Sequence, residues 1–132
     1  YSPFVNSTEL ITISATAATG TINYDTNTQS VVYYTSAAVG DWTINFRASS
    51  GATLNSVLST GEAITLVHLV TLTGAEYRNT TVQVDGSSIT PEWQGGAAPT
   101  EGNINSIDSY TYTIIKTGDA AFTILAALTQ FA

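Results

Sequence analysis

Apolar and polar positions alternate along most of this chain with the two-residue period of half-buried β-strands. The cleanest case is Trp42-Thr43-Ile44-Asn45-Phe46-Arg47, whose ring-bearing face predicts burial against a core. Residues 9–15 (ELITISA) set Ile11 and Ile13 on one face, the face expected to turn inward. Residues 21–24 and 31–35 predict two further short strands, separated by the turn-forming run Asp25-Thr26-Asn27-Thr28. Between Gly51 and Gly61 the period changes. Leu54, Val57 and Leu58 fall at i, i+3 and i+4 behind Thr53, so one helical turn capped by Thr53 is predicted, plugging one end of the fold. Residues 62–72 are apolar on both faces at their middle, through Leu66, Val67, Leu69 and Val70. That pattern predicts a central strand, or one whose second face meets another subunit, with Val67, His68 and Leu69 as its contact residues.

Residues 77–84 and 87–90 flank Asp85-Gly86, the strongest short-range hairpin signal in the chain. A long loop at 93–105 follows, then a strand at 109–116, a turn at Thr117-Gly118-Asp119 and a last strand at 121–128. The stretch 89–116 organises the rest: Trp93, the permissive Gly95-Gly96 pair and Pro99 sit just before a long alternating strand. About nine short strands with turn signals between them predict an all-β fold, an antiparallel β-sandwich of jelly-roll type with one short helical turn. Residues 1–8 read as an extended lead-in held open by Pro3, and residues 9–132 as one sandwich domain. No internal repeat stands out.

Composition narrows the function more than it identifies it. Of the 132 residues 43% are hydrophobic and only 10% charged, with a net charge of −7. That balance opposes binding to nucleic acid or to an anionic membrane surface, and no apolar run is long enough for a membrane-spanning helix. The absence of cysteine removes disulfides and thiolate metal ligands. There is also no methionine, so Tyr1 reads as following a longer upstream polypeptide.

Candidate chemistry is sparse. His68, the one histidine, has no acid nearer on its face than Glu62, and reads as a satisfied core or interface imidazole. With one possible base and no G-x-S-x-G elbow, a catalytic triad is hard to assemble. Glu92, Glu101 and Asp108 cluster around the organising loop and are the residues a glycan-cleaving site would use, although loop acids more often satisfy turn amides. Asp25 and Asn27 have D-x-N spacing without a complete calcium loop around them, so a turn is expected. Neither cofactor nor metal is expected. Arg47 and Arg78 are expected in ion pairs, and the triplets Asn6-Ser7-Thr8 and Asn79-Thr80-Thr81 carry no inference in a Thr-rich chain. Trp93 separates two readings. Buried, it pins the loop; exposed beside Gln94 and Asn103, with Tyr77 and Tyr110 near, it would stack on a sugar ring, and Gly95-Gly96 favours burial by letting the backbone close over the ring.

A resemblance rests on the same stretch. Trp93-Gln94-Gly95-Gly96, Ala98-Pro99-Thr100 and the run from Ile107-Asp108 through Tyr110, Tyr112-Thr113-Ile114-Ile115-Lys116-Thr117-Gly118 carry it, with Asn45-Phe46-Arg47, Leu54-Asn55-Ser56-Val57-Leu58 and Ala63-Ile64-Thr65 upstream and Phe122-Thr123-Ile124-Leu125-Ala126 and Phe131-Ala132 at the end. Together these resemble the repeated C-terminal β-domain of marine phage, cyanophage-like, virion structural and tail-fibre-like proteins, over roughly residues 20–132. The resemblance implies a non-enzymatic structural domain in the virion, on a fibre or another displayed appendage. It implies association with copies of itself, as a homotrimer, and with other virion proteins, and contact with a host cell-surface glycan. The alternatives are a capsid decoration protein and a carbohydrate-binding module.

Overall fold

The computed structural model describes residues 8–132; of the lead-in at 1–8, all but Thr8 lies outside them. Alternation of β-branched and aromatic residues with small polar ones produces ten strands: β1 (Thr12–Ala17), β2 (Gly20–Asp25), β3 (Val31–Ala37), β4 (Trp42–Arg47), β5 (Ala63–Leu72), β6 (Asn79–Val84), β7 (Ser87–Ser88), β8 (Glu92–Trp93), β9 (Ser106–Gly118) and β10 (Ala121–Phe131). The one α-helical turn, α1 (Leu54–Val57), stands where the spacing placed it, with the Thr53 side chain accepting from the Ser56 N–H. A 3-10 turn follows β8 at Gln94–Gly96.

The strands form a six-stranded sheet in the order β1-β3-β5-β9-β10-β8 and a four-stranded sheet in the order β2-β4-β6-β7. This is an all-β sandwich. Its strand pairing corrects the antiparallel expectation and does not confirm a jelly-roll winding: β1–β3, β3–β5, β2–β4, β4–β6 and β10–β8 are parallel. Among the described strands, β5–β9, β9–β10 and β6–β7 are the antiparallel pairs. The physical reason is the route of the chain. From β1 to β6 it changes sheet at every connection, so each strand returns to its own sheet only after a strand of the opposite one, and it returns pointing the same way. The first six strands are three stacked coils, and the β9–β10 hairpin extends the six-stranded sheet beside β5, with β8 at its far edge.

Stacking in register reveals a repeat that the sequence reading missed. Thr21-Ile22-Asn23-Tyr24-Asp25 lies on Thr43-Ile44-Asn45-Phe46-Arg47, and Thr43 to Phe46 lie on Thr81-Val82-Gln83-Val84. Ile22, Ile44 and Val82 form one buried row, and Tyr24, Phe46 and Val84 another. The outward rows are polar: the Asn45 amide donates to Asn23 Oδ1 at 3.0 Å, and Arg47 Nε pairs with Asp25 Oδ1 at 2.6 Å. Among the described residues that is the ion pair present; Arg78 instead donates its backbone N–H to the Asp41 carboxylate.

Between the sheets lies an aromatic core. Trp42, Tyr110, Tyr112, Phe46 and Tyr24 are all buried, with Tyr110 and Tyr112 stacked at 7° and Trp42 meeting Tyr110 edge-on at 5.6 Å. Asn79 ties the layers together. It donates its N–H to the Tyr110 hydroxyl, accepts from the Tyr112 hydroxyl at 3.0 Å, and donates its amide to the carbonyls of Trp42 and Thr81. Desolvation holds both tyrosine hydroxyls well above their ordinary pKa, so they stay neutral and available for these bonds.

Candidate assembly face and the Trp93 loop

β8 lies beside β10 with Trp93 opposite Ala126, which turns the indole toward the interior edge of the sandwich. The ring meets Tyr110 and Tyr112 edge-on, each at 6.4 Å. Half-buried, it anchors the loop to the core aromatics. Gly95 and Gly96 both take positive φ, 83° and 85°, a region that side chains disfavour and glycine occupies freely. The far end of the loop is fastened at Gly102, whose N–H donates to the Glu76 carbonyl at 3.0 Å and whose Cα faces the Tyr77 carbonyl so closely that an added Cβ would lie 2.1 Å from it. Gln94 is exposed and Asn103 and Tyr77 are half-buried. Tyr110, expected as a surface contact, is instead 0% exposed, because alternation along β9 sends it inward with Asp108 and Tyr112. A cleft of about 450 Å³ runs beside Trp93 along Thr80, Ser88, Pro91 and Glu92.

The acids do not converge. Glu92 pairs with Leu125 and points outward, whereas Asp108 lies on the inner face of the same sheet and is 0% exposed. Asp108 accepts from Ser106 Oγ at 2.8 Å and from the Asn103 N–H at 3.2 Å, a fastening of the loop's end; burial raises its pKa and these two hydrogen bonds oppose the rise. Glu101 is exposed, and its hydrogen bond and charge push the Glu76 carboxyl upward. Asp25 is held by Arg47 and its carbonyl accepts from Thr28 and Gln29, the turn expected of D-x-N here.

His68 corrects two expectations. Val67 and Leu69 point to the outer face of β5, but His68 points inward and is 0% exposed, so it is no part of an outward contact. Nor is it satisfied: neither ring nitrogen has a hydrogen-bond partner among the described residues. Lys116 was not singled out from the sequence. Its Nζ donates to the carbonyls of Asn55 at 2.6 Å and Leu58 at 2.8 Å, holding α1 against β9; a lysine in register with Tyr110, Tyr112 and Ile114 was the available signal.

The outer face of the six-stranded sheet is the feature that reasoning on single strands could not assemble. Register places Ile13, Tyr33, Leu69, Ser109 and Thr129 in one row across five strands. Parallel rows hold Val31, Val67, Thr111 and Ala127, and Thr71, Ile107 and Phe131. In these rows there is no charged side chain. Ile13 is 69% and Phe131 59% exposed, so these rows present apolar groups directly to their surroundings among the hydroxyls of Ser109, Thr111 and Thr129, and the charged Glu92 lies beside Leu125 at the β8 edge. The opposite sheet presents the polar Asn and Asp–Arg rows instead. Comparison with known proteins returned no matching family model, no matching curated protein and no matching solved structure.

Proposed function

We propose that this chain is a non-enzymatic structural domain of a phage virion, borne on a fibre or another displayed appendage, in which copies of the domain pack through the outer face of the six-stranded sheet. The observation that carries the reading is the set of uncharged rows, with exposed apolar groups among hydroxyls, across five strands of a protein whose net charge is −7. Contiguous apolar surface of this kind costs solubility when left in water and is recovered by association. The sequence resemblance supplies the setting, with a homotrimer as the expected assembly and other virion proteins as further neighbours. The Trp93 loop, pinned at both ends, serves as a rigid element at the sheet edge.

Two measurements test this. Sedimentation equilibrium of the purified chain should yield a trimer mass, and imaging of purified particles should place three copies on each projecting stalk. Copies spread over the head would instead make it a decoration protein. A monomer at high concentration that is also absent from particles would end the structural reading.

A further inference from the structure

We propose that the gap between the sheets at the β1–β2 end is a binding site for one small, neutral, hydroxyl-bearing ring, of the size of a single pyranose or cyclitol. β1 is inverted relative to the expectation from its sequence. Ile13 points outward, and Thr12 and Ser14 take the inward register, aligned with Val32 and Tyr34 of β3. This edge strand thus turns hydroxyls toward the gap, with Ser14 Oγ and Thr16 Oγ1 hydrogen-bonded to each other at 2.7 Å. Thr12 and Ser14, with Gln29, Tyr34 and His68, line a cavity of about 270 Å³.

His68 closes its inner end. The register row runs from Thr12 through Val32 to His68, and the imidazole is 0% exposed with neither nitrogen hydrogen-bonded among the described residues. Tyr34 and Trp42 pack against it with planes nearly perpendicular and centroids at 4.7 and 6.2 Å, and the Trp42 indole N–H is also without a partner among the described residues. An uncharged imidazole offers one donor and one acceptor, and leaving such groups unpaired in an interior costs on the order of 1–3 kcal/mol each. Leucine or phenylalanine would fill the space without that cost. A hydroxyl group can both donate to and accept from the ring.

Size and charge set the ligand class. One water takes about 30 Å³ of liquid volume, far less than the cavity, while drug-sized ligands use pockets of roughly 300–1,000 Å³. None of the lining residues carries a charge, so an ion would be desolvated without a counter-charge. Ile22, Val32 and Tyr24 supply apolar wall for the C–H faces of a ring.

The test is nuclear magnetic resonance titration of the full chain with D-glucose, D-galactose and myo-inositol, with acetate as a charged comparison. At least one neutral ring should shift the His68 ring signals and the Ser14 and Tyr34 amide signals saturably, and acetate should not. Tyr34→Phe and Ser14→Leu should each weaken that binding by about tenfold or more while the rest of the spectrum stays native. Absence of a saturable shift with all three neutral rings overturns the proposal. So does binding that survives unchanged in both variants, since it would lie elsewhere.

Discussion

At the scale of single residues, buried polar groups decide more of this molecule's behaviour than its few charges. Burial pulls the His68 pKa from 6.5 down to about 3, so the folded chain keeps the ring neutral where the unfolded chain protonates it. Between those values the unfolded state binds the extra proton. The contribution of His68 is therefore fully present above pH 6.5 and is lost as pH falls toward 3, at a slope of about 1.4 kcal/mol per pH unit. Asp108 runs the other way, because its raised pKa favours the fold on acidification. Comparing urea midpoints at pH 7 and pH 4.5 for the native chain and His68→Phe isolates the histidine. The variant should lose much less stability on acidification; equal losses would mean that the ring is not held neutral. Asn79 gives a second expectation. Tyr112→Phe leaves Asn79 Oδ1 without its donor in a buried site and should cost about 1–3 kcal/mol in chemical denaturation.

Single elements were legible in the sequence to the extent that their signals are local. The Thr53 cap, the buried ring face of β4 and the Asp85-Gly86 turn, with φ of 52° and 81° at its two central residues, depend on neighbours a few positions away. β1 misled because an edge strand bordering a cavity has no obligation to bury its isoleucines, and the face chosen by Ile11 and Ile13 was the outer one. The coiled route was also missed. It is written only in the similarity of TINYD, TINFR and TVQVD across unequal spacings, interrupted by the α1 insertion and the long β5. Asp85 shows how one element leans on another. Its two carboxylate oxygens accept from the Leu54 and Asn55 N–H groups at 2.7 and 3.0 Å, so the hairpin tip caps the start of α1 beside Thr53. Asp85→Ala removes both acceptors and strains a left-handed position, and should lower stability by about 1–2 kcal/mol. Thr53→Ala, which removes one acceptor, should cost less; the reverse order, measured by thermal unfolding, would show that the tip is incidental to the helix.

For the whole molecule, the asymmetry between its two outer faces sets the expectation. The four-stranded sheet carries hydrogen-bonded amides and the Asp25–Arg47 pair, groups at ease in water, whereas the six-stranded sheet carries Ile13, Val67, Leu69, Ile107 and Phe131 in uncharged rows. Association should therefore use the second face and leave the first wet. The double variant Val67→Lys and Leu69→Lys puts two charges at the centre of the apolar face without touching Leu66, Val70 or the rest of the core. Desolvating either lysine on association would cost several kcal/mol, enough to shift a micromolar equilibrium by a hundredfold or more. The variant should sediment as a monomer while keeping the native far-ultraviolet circular dichroism spectrum, its unfolding midpoint falling by the stability that association supplies. Asn23→Lys, on the polar face, serves as the matched control and should keep the native mass. If the Val67 and Leu69 variant assembled like the native chain, the interface would lie elsewhere, and the sheet edges at β1 and β2, both open to pairing among the described residues, would be next to block.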